Sequence, residues 1–485
     1  MLDKSTREKY TLVVGLEVHA QLLTQSKIFS SDPTRYGADP NTNISVITLG
    51  HPGTMPRLNK QVIEYAVRMG LACGCEITRH NIFDRKNYFY PDLPKGYQIM
   101  QDKTPICVGG GVYIRLEDQD ERQIKLHHIH LEEDAGKSIH LENEPETLVD
   151  FNRAGVPLIE IVTEPDIRSS EEAYAVLSEI RKLVRYLDIC DGNMEEGSLR
   201  CDANVSIMLK GATVYGKKVE VKNMNSIRNV QRAIDHEMER QIMLLEQGEE
   251  IISETRLFNA DTGTTYSMRT KEELNDYRYF PEPDLSPVVI SEEWLASVRQ
   301  KMPDLPHDLW HKFTKSYGLP AYDAELLTET KAIARYFEEV CTFTPHYKAV
   351  SNWMMGPVRS YLNEQGIDIS TFPLSPERLA QLIALVAADK VSFAVASQKL
   401  FPRLLREPAT APDQLAADMN LLQESNADSL QLLVTEVLAA HPQKVDQYRK
   451  GKKGLLGMFV GEVMKRSKGK ANPKVTNELL RKELG

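Results

Sequence analysis

VVGLEVHAQL, residues 13–22, alternates with a period of two. Val14, Leu16, Val18, Ala20 and Leu22 are apolar, and Gly15, Glu17, His19 and Gln21 fall between them. In a β-strand alternate side chains share a face. The stretch therefore predicts a strand with an apolar underside and with Glu17 beside His19 on its wet face.

Further segments read as strands in the same way. KLHHIHLEEDAGK places His128, His130 and Glu132 on one face and Glu133 on the other, ahead of a turn at Asp134, Ala135 and Gly136. A bulge at that turn would bring both glutamates to one site. RCDANVSI sets Asp202, Asn204 and Ser206 opposite Ala203, Val205 and Ile207, and KVEVKN sets Glu220 and Lys222 opposite Val219 and Val221. Residues 158–162 are one more short strand. Turn clusters such as GADPNTN, VGGG and EEGS separate several of these segments, and VGGG is expected to close a hairpin. Strands with apolar backs and Glu/His/Asp/Lys fronts suit a divalent-metal and phosphate site. Mg²⁺ takes oxygen ligands, tolerates an imidazole and leaves positions for substrate phosphate. Solvent-facing polarity, which antiparallel sheets commonly carry, is the plainer reading of any one strand.

Two helices accompany the strands. SSEEAYAVLSEIRKLVRYLDI has apolar residues at 173, 176, 177, 180, 183, 184 and 187, behind a capping box of Ser169 and Glu172. RNVQRAIDHEMERQIMLLEQG repeats the pattern and stops at Gly248. The proline-rich DYRYFPEPDLSP closes this half. Beyond it the helical period dominates: AYDAELLTETKAIARYFEEV, SPERLAQLIALVAADK and DSLQLLVTEVLAAHP are amphipathic helices, and REPATAPDQLAADMN reads as a joint. GLLGMFVGEVMKRSKG and a helix opening at Asn472 and Pro473 complete the chain. The fold class is α+β. A cradle of largely antiparallel sheets with flanking helices is expected over 1–292, an all-α domain over 293–408 and a small helical tail over 409–485.

At 485 residues the chain exceeds a single core. Its longest apolar run, LIALVAA, is far shorter than the ~20 residues a membrane span needs, and the N-terminal decapeptide has no signal-like apolar core. A cytoplasmic protein is the expectation. Six scattered cysteines do not form a disulfide framework. Cys73 and Cys75 make a C-x-C pair without the second half of a four-ligand zinc site, which reads as buried free thiols. The net charge of −10 hides a split: residues 449–485 carry eleven Lys/Arg against three Asp/Glu, a net of +8, which leaves −18 on the first 448. Such a tail is either a solvated face or a contact for something anionic, nucleic acid first in line. No G-x-x-x-x-G-K-[ST] occurs, so any use of ATP takes another route. DRKNYFYPDLPKGYQI alternates Lys86, Tyr88 and Tyr90 with Asn87 and Phe89. Amines beside rings suit a nucleotide or a single-stranded RNA end, and tyrosine-rich strands also serve as plain core.

Taken together, GLEVHAQL, DRKNYFYPDLPKGYQI, HLEEDAGKS, DFNRAGVPLIEIVTEPDI, MEEGSLRCDANVSI, VEVKNMNSI and DYRYFPEPDLSP resemble the B-subunit family of the aspartyl/glutamyl-tRNA amidotransferases. The likeness runs to the basic tail, which is of the YqeY type. It implies one member of a heterotrimer that holds Glu-tRNA(Gln) or Asp-tRNA(Asn), phosphorylates the side-chain carboxylate with ATP and Mg²⁺, and transfers ammonia. The ammonia is released by an amidase partner, the A subunit, while a small third subunit, C, braces the pair. By that likeness Glu17, His19 and Glu133, with Glu132 adjacent, lie at the Mg²⁺. Lys86 and Arg200 are the cations expected to neutralise phosphate charge. His130, Asp202, Glu220 and Lys222 are expected to support the ligands, and Tyr88 and Tyr90 to meet the acceptor end or nucleotide. Arg449, Lys450, Lys452, Lys453, Lys465, Arg466, Lys468 and Lys470 would meet tRNA through the tail. Two other readings stay open: a tRNA-docking scaffold without chemistry of its own, and a metal-dependent hydrolase acting on RNA or nucleotides.

Overall fold

Leu16, Val18 and Ala20 are fully buried while Glu17, His19 and Gln21 alternate with them toward the open side, and this alternation organises the N-terminal half. The computed structural model describes residues 3–485 apart from 117–118, 142–144, 271–276, 424–426 and 468–469. It divides into two compact units, Met1–His307 and Asp308–Gly485.

The first unit is built on a thirteen-stranded sheet among the described residues. Ten strands lie on its main path: β1 (Tyr10–Gln21), β2 (Asp84–Asn87), β3 (Tyr97–Met100), β4 (Arg122–Glu133), β5 (Pro157–Thr163), β6 (Leu199–Leu209), β7 (Val219–Lys222), β8 (Glu254–Asn259), β9 (Thr264–Thr270) and β10 (Phe280–Pro281). Their order is β9-β8-β7-β6-β1-β5-β4-β3-β2-β10. Every pairing on that path is antiparallel except β7 with β8. β1 is central. It pairs with β6 from Tyr10↔Leu209 to Ala20↔Leu199 and with β5 from Glu17↔Val162 to Gln21↔Leu158.

Three helices support the apolar back: α1 (Lys60–Ala72), α2 (Ser170–Tyr186) and α3 (Ile227–Glu246). Ser169 caps α2 by accepting from the Glu172 N–H, and the Glu172 carboxylate accepts from the Arg168 N–H. Ser226 caps α3 through the Asn229 N–H. Ala173, Val176, Leu177, Ile180 and Val184 of α2, with Val230, Ala233 and Ile234 of α3, are fully buried in the same core as Val18, Ile161 and Val205.

The turn expectations need correction. Gly109 and Gly110 do not close a hairpin: Cys107–Val108 and Gly111–Ile114 both pair with β4, one after the other. The two glycines, at φ +65° and +81°, let the chain jog outward and return to the same partner. The bulge in β4 also lies elsewhere than at the Glu132/Glu133 turn. Register with β5 runs unbroken from Glu133↔Pro157 to His128↔Val162 and then skips His127.

The second unit is helical. AYDAELLTETKAIARYFEEV forms two helices, Ala321–Leu327 and Lys331–Phe343. The break comes from threonines: Thr328 turns its hydroxyl back onto the Ala324 carbonyl, and Thr330 caps the second helix through the Ile333 N–H. The stretch read as a joint holds a short helix, Pro412–Asp418, with Leu415 and Ala416 buried. The tail helices Ala427–Ala440, Leu456–Arg466 and Pro473–Leu484 share a core of Leu430, Val434, Phe459, Val463 and Leu480.

Ile161, fully buried at the centre of the sheet back, tests this core. Ile161→Ala is expected to destabilise the Met1–His307 unit by ~2–4 kcal/mol, read as a lower urea midpoint. An unchanged midpoint would refute its place in the core.

Candidate functional site

The open face of the sheet carries, in neighbouring register, Glu17 and His19 of β1, Glu160 of β5, His130 and Glu132 of β4, Arg200 and Asp202 of β6, and Glu220 and Lys222 of β7. The pairings His19↔Glu160, Glu160↔His130, Glu17↔Asp202, His19↔Arg200 and Asn204↔Glu220 place them side by side. Two groups of potential ligands result. In one, His19, Glu132 and Glu160 bring a ligand atom each within 4.8 Å of the others; in the second, Glu17, Asp202 and Glu220 do so.

Within the first group His19 Nε2 lies 3.5 Å from Glu132 Oε1 and 3.6 Å from Glu160 Oε2. His130 Nε2 reaches Glu160 Oε2 at 3.2 Å, and Gln98 donates to Glu132 Oε2 at 3.1 Å. Burial opposes charge on both His130 and Glu160. Glu132 and then Glu160 outweigh it at the histidine and raise its pKa, while His130 and then His19 outweigh it at Glu160 and lower that of the glutamate. A chain of imidazoles continues outward, from His130 to His128 at 3.0 Å and on to His127 at 2.6 Å.

In the second group Asn204 donates to Glu17 at 2.8 Å. Burial and then the charge of Glu160 push the Glu17 pKa up. Lys222 bonds Asp202 and stands 2.9 Å from Glu220. Burial works against its charge, but the two carboxylates prevail and raise its pKa. Thr255 donates to the other oxygen of Glu220 at 2.8 Å. Carboxylates with an imidazole are the donor set Mg²⁺ accepts.

Lys222 and Thr255, which hold the second group, also line a cavity of about 1170 Å³ whose walls include Lys86, Tyr88 and Tyr90. Lys86 Nζ lies 4.9 Å from the Tyr277 ring centroid, and Tyr88 meets the same ring edge-on at 6.0 Å. Arg200 pairs with Asp134 at 3.1 Å.

Glu133 is not brought to the other carboxylates. It points to the opposite side, accepting from Lys95 Nζ at 2.7 Å and from the Ile99 N–H at 2.9 Å. There it lines a separate cavity of about 210 Å³ with Lys27, Lys95 and His51. Glu160 is the residue that reading by motif missed, although its signal is present: it is the single charge in the apolar run PLIEIVT. Cys73 is buried and Cys75 donates to the Gly109 carbonyl at 2.9 Å. Burial pushes both thiols up, Cys75 to about 12. Among the described residues no group of potential ligands includes a cysteine.

In the tail, Arg449 donates to the Leu484 and Glu483 carbonyls, and Lys453 to that of Gly485, so both hold the end of the last helix. Lys470 bonds Asn420 at 2.7 Å and Arg466 faces Glu436 at 3.6 Å. Lys450, Lys452 and Lys465 are exposed. Lys468 lies outside the described residues.

A sheet face with two groups of potential ligands, beside a wide cavity walled by lysines and aromatic rings, is of the class that could hold a divalent cation and meet phosphate charge. Comparison with known proteins gives the family. Residues 12–296 match the GatB/GatE catalytic domain and residues 335–484 the GatB domain. The chain is 49% identical over 476 residues to the B subunit of the aspartyl/glutamyl-tRNA(Asn/Gln) amidotransferase from Thermodesulfovibrio yellowstonii, covering 98% of this chain and 99% of that protein. It is 48% identical to the proteins of the same name from Alkalilimnicola ehrlichii and Thermosynechococcus vestitus, covering 98% of this chain in each case and 99% and 96% of theirs. This chain belongs to the GatB/GatE family.

Lys27, fully buried beside Asp32 and Glu133, offers a test of the smaller cavity. Burial first of all draws its pKa from 10.5 down to about 8. Between those values the unfolded chain binds more protons, so the folded state gains stability as pH rises through the window. The Tm of wild type relative to Lys27→Met is expected to climb from pH 7 to pH 10. A difference independent of pH would contradict the burial of this ammonium.

Proposed function

We propose that this chain is the tRNA-binding and amide-forming member of a cytoplasmic heterotrimer that converts Glu-tRNA(Gln) to Gln-tRNA(Gln), Asp-tRNA(Asn) to Asn-tRNA(Asn), or both. Its partners are a glutamine-hydrolysing amidase, the A subunit, together with the small C subunit. The observation that carries the reading is the pair of three-residue groups of potential ligands on one sheet face, five carboxylates and an imidazole, beside a large cavity walled by Lys86 and Lys222. Whole-length identity to proteins named for this activity supports it.

A carboxylate cannot exchange oxygen for ammonia directly, because oxide does not leave. ATP phosphorylates the side-chain carboxylate, ammonia adds to the acyl carbon, and phosphate departs with the carboxylate oxygen. Phosphoryl transfer needs positioning and charge neutralisation above all. His19, Glu132 and Glu160 would hold Mg²⁺, with Glu17, Asp202 and Glu220 as the neighbouring carboxylate set; when bound, the ion neutralises phosphate charge. Lys86 and Lys222 add fixed positive charge at the cavity wall. Lys222 is held between Asp202 and Glu220, which fixes its ammonium. Arg200, tied to Asp134, borders the same face beside His19. Glu133 belongs to this account through its pairing with Lys95 behind the sheet. Tyr88 and Tyr90 line the approach for the acceptor end. The basic tail, residues 409–485, meets the tRNA backbone away from that end, where recognition is by shape and phosphate.

Reconstitution with the two partner subunits, ATP, Mg²⁺, glutamine and Glu-tRNA(Gln) tests the site. Glu132→Gln and His19→Ala should each lower amide formation and ADP release by roughly a hundredfold or more, with tRNA affinity within about twofold of wild type. Near-normal turnover in both would leave the chain a docking scaffold.

The tail is tested by salt. Replacing Lys450, Lys452 and Lys465 together with alanine should weaken tRNA binding at low salt. It should also make the dependence of affinity on salt shallower, by about one unit of slope for each phosphate no longer neutralised. Unchanged affinity across the series would refute a role for these lysines on tRNA.

A further inference from the structure

Large apolar side chains stand in water along the 1170 Å³ cavity, where phosphate chemistry has no use for them. Phe89 is 93% exposed, Met268 55% and Phe280 43%, and all three line the cavity. Single exposed apolar residues are ordinary on a soluble protein, but a group gathered at one opening marks a binding surface. The cavity also exceeds the ~1,000 Å³ upper range of pockets for small ligands.

The rings are held by the backbone. A Cβ at Gly96 would stand 3.1 Å from Phe89 Cε1, and Gly96 itself is at φ +73°, so a glycine lets the Phe89 ring lie against the chain. Phe280 is anchored in β10 by pairing with Arg85, whose guanidinium carbon lies 5.7 Å from the Phe280 ring centroid. Two residues earlier Arg278 adopts φ +44°, uncommon for a residue with a side chain. Asn87 clasps that strap: its side chain donates to the Arg278 carbonyl at 2.8 Å and its N–H to that of Tyr277 at 2.9 Å. Backbone strain of this kind persists where surrounding contacts over-determine it, and it clusters at ligand clamps.

Exposed rings beside a line of cations form the surface on which single-stranded nucleic acid binds: bases stack on the rings and phosphates meet the amines. Lys86, Lys222 and Arg278 line this same cavity. A nucleobase reaching the rings could come from RNA or from ATP. The geometry favours RNA, because Phe89 and Phe280 stand exposed to solvent, whereas Lys222 is drawn in against Asp202 and Glu220. We propose that Phe89 and Phe280 are positioning residues that stack the unpaired 3′ nucleotides of the tRNA, fixing the aminoacylated end over the acidic clusters. This rests on the functional reading above.

The test uses the complete heterotrimer and two probes: an uncharged tRNA, and the same tRNA with its unpaired 3′ nucleotides removed. Wild type is expected to bind the intact tRNA about fivefold or more tighter than the truncated one, the value of one base stack. In the Phe89→Ala/Phe280→Ala double variant that preference should disappear, with affinity for the truncated tRNA unchanged. Phe89→Tyr and Phe280→Trp should restore it. A preference that persists in the double variant, or that wild type never shows, overturns the proposal. So does a raised KM for ATP with the tRNA preference intact, which would make adenine the occupant. Failure of the underlying reading appears separately, as amide formation that survives His19→Ala and Glu132→Gln.

Discussion

The structure depends on the register of β1 between its two neighbours. Because side chains alternate, sliding β1 by one residue against β6 would turn Glu17 and His19 into the core and Leu16 and Val18 onto the open face. Continuous antiparallel pairing from Tyr10↔Leu209 to Ala20↔Leu199 forbids that. The helices behind the sheet enforce it, since every apolar residue of β1 facing them is buried. One hydrophobic alternation thus sets both the core and the position of the site.

On the open face the same register creates an electrostatic difficulty. Glu17, Glu132, Glu160, Asp202 and Glu220 are crowded together and partly withdrawn from water, where like charges repel and burial disfavours ionisation. Lys222 relieves one cluster, and His19 and His130 the other. The carboxylates that remain are the groups a divalent cation would satisfy. Their attachment to strands keeps them within the narrow tolerance that phosphate chemistry requires.

Much of this was legible in the chain itself. The strands of β1, β4, β6 and β7 and their polar faces follow from period two, and α2 and α3 from apolar spacing with serine caps. The two-helix break at 328–330 was hidden because Thr328 and Thr330 interrupt a helix that its apolar spacing alone would continue. The VGGG turn was misread because a jog along one partner and a hairpin between two strands use the same glycines. Motif order carried the family, which no single pattern could.

By itself the sequence determined which side of each strand is polar, where helices begin, and that a basic tail follows an acidic body. Those properties are set by residues close together along the chain. Only the tertiary structure decided that Glu160 joins His19 and Glu132, that Lys222 lies between two carboxylates, and that Glu133 turns away to Lys95. Strand order brings residues more than a hundred positions apart into contact, and local periodicity holds no information about which strand will lie beside which.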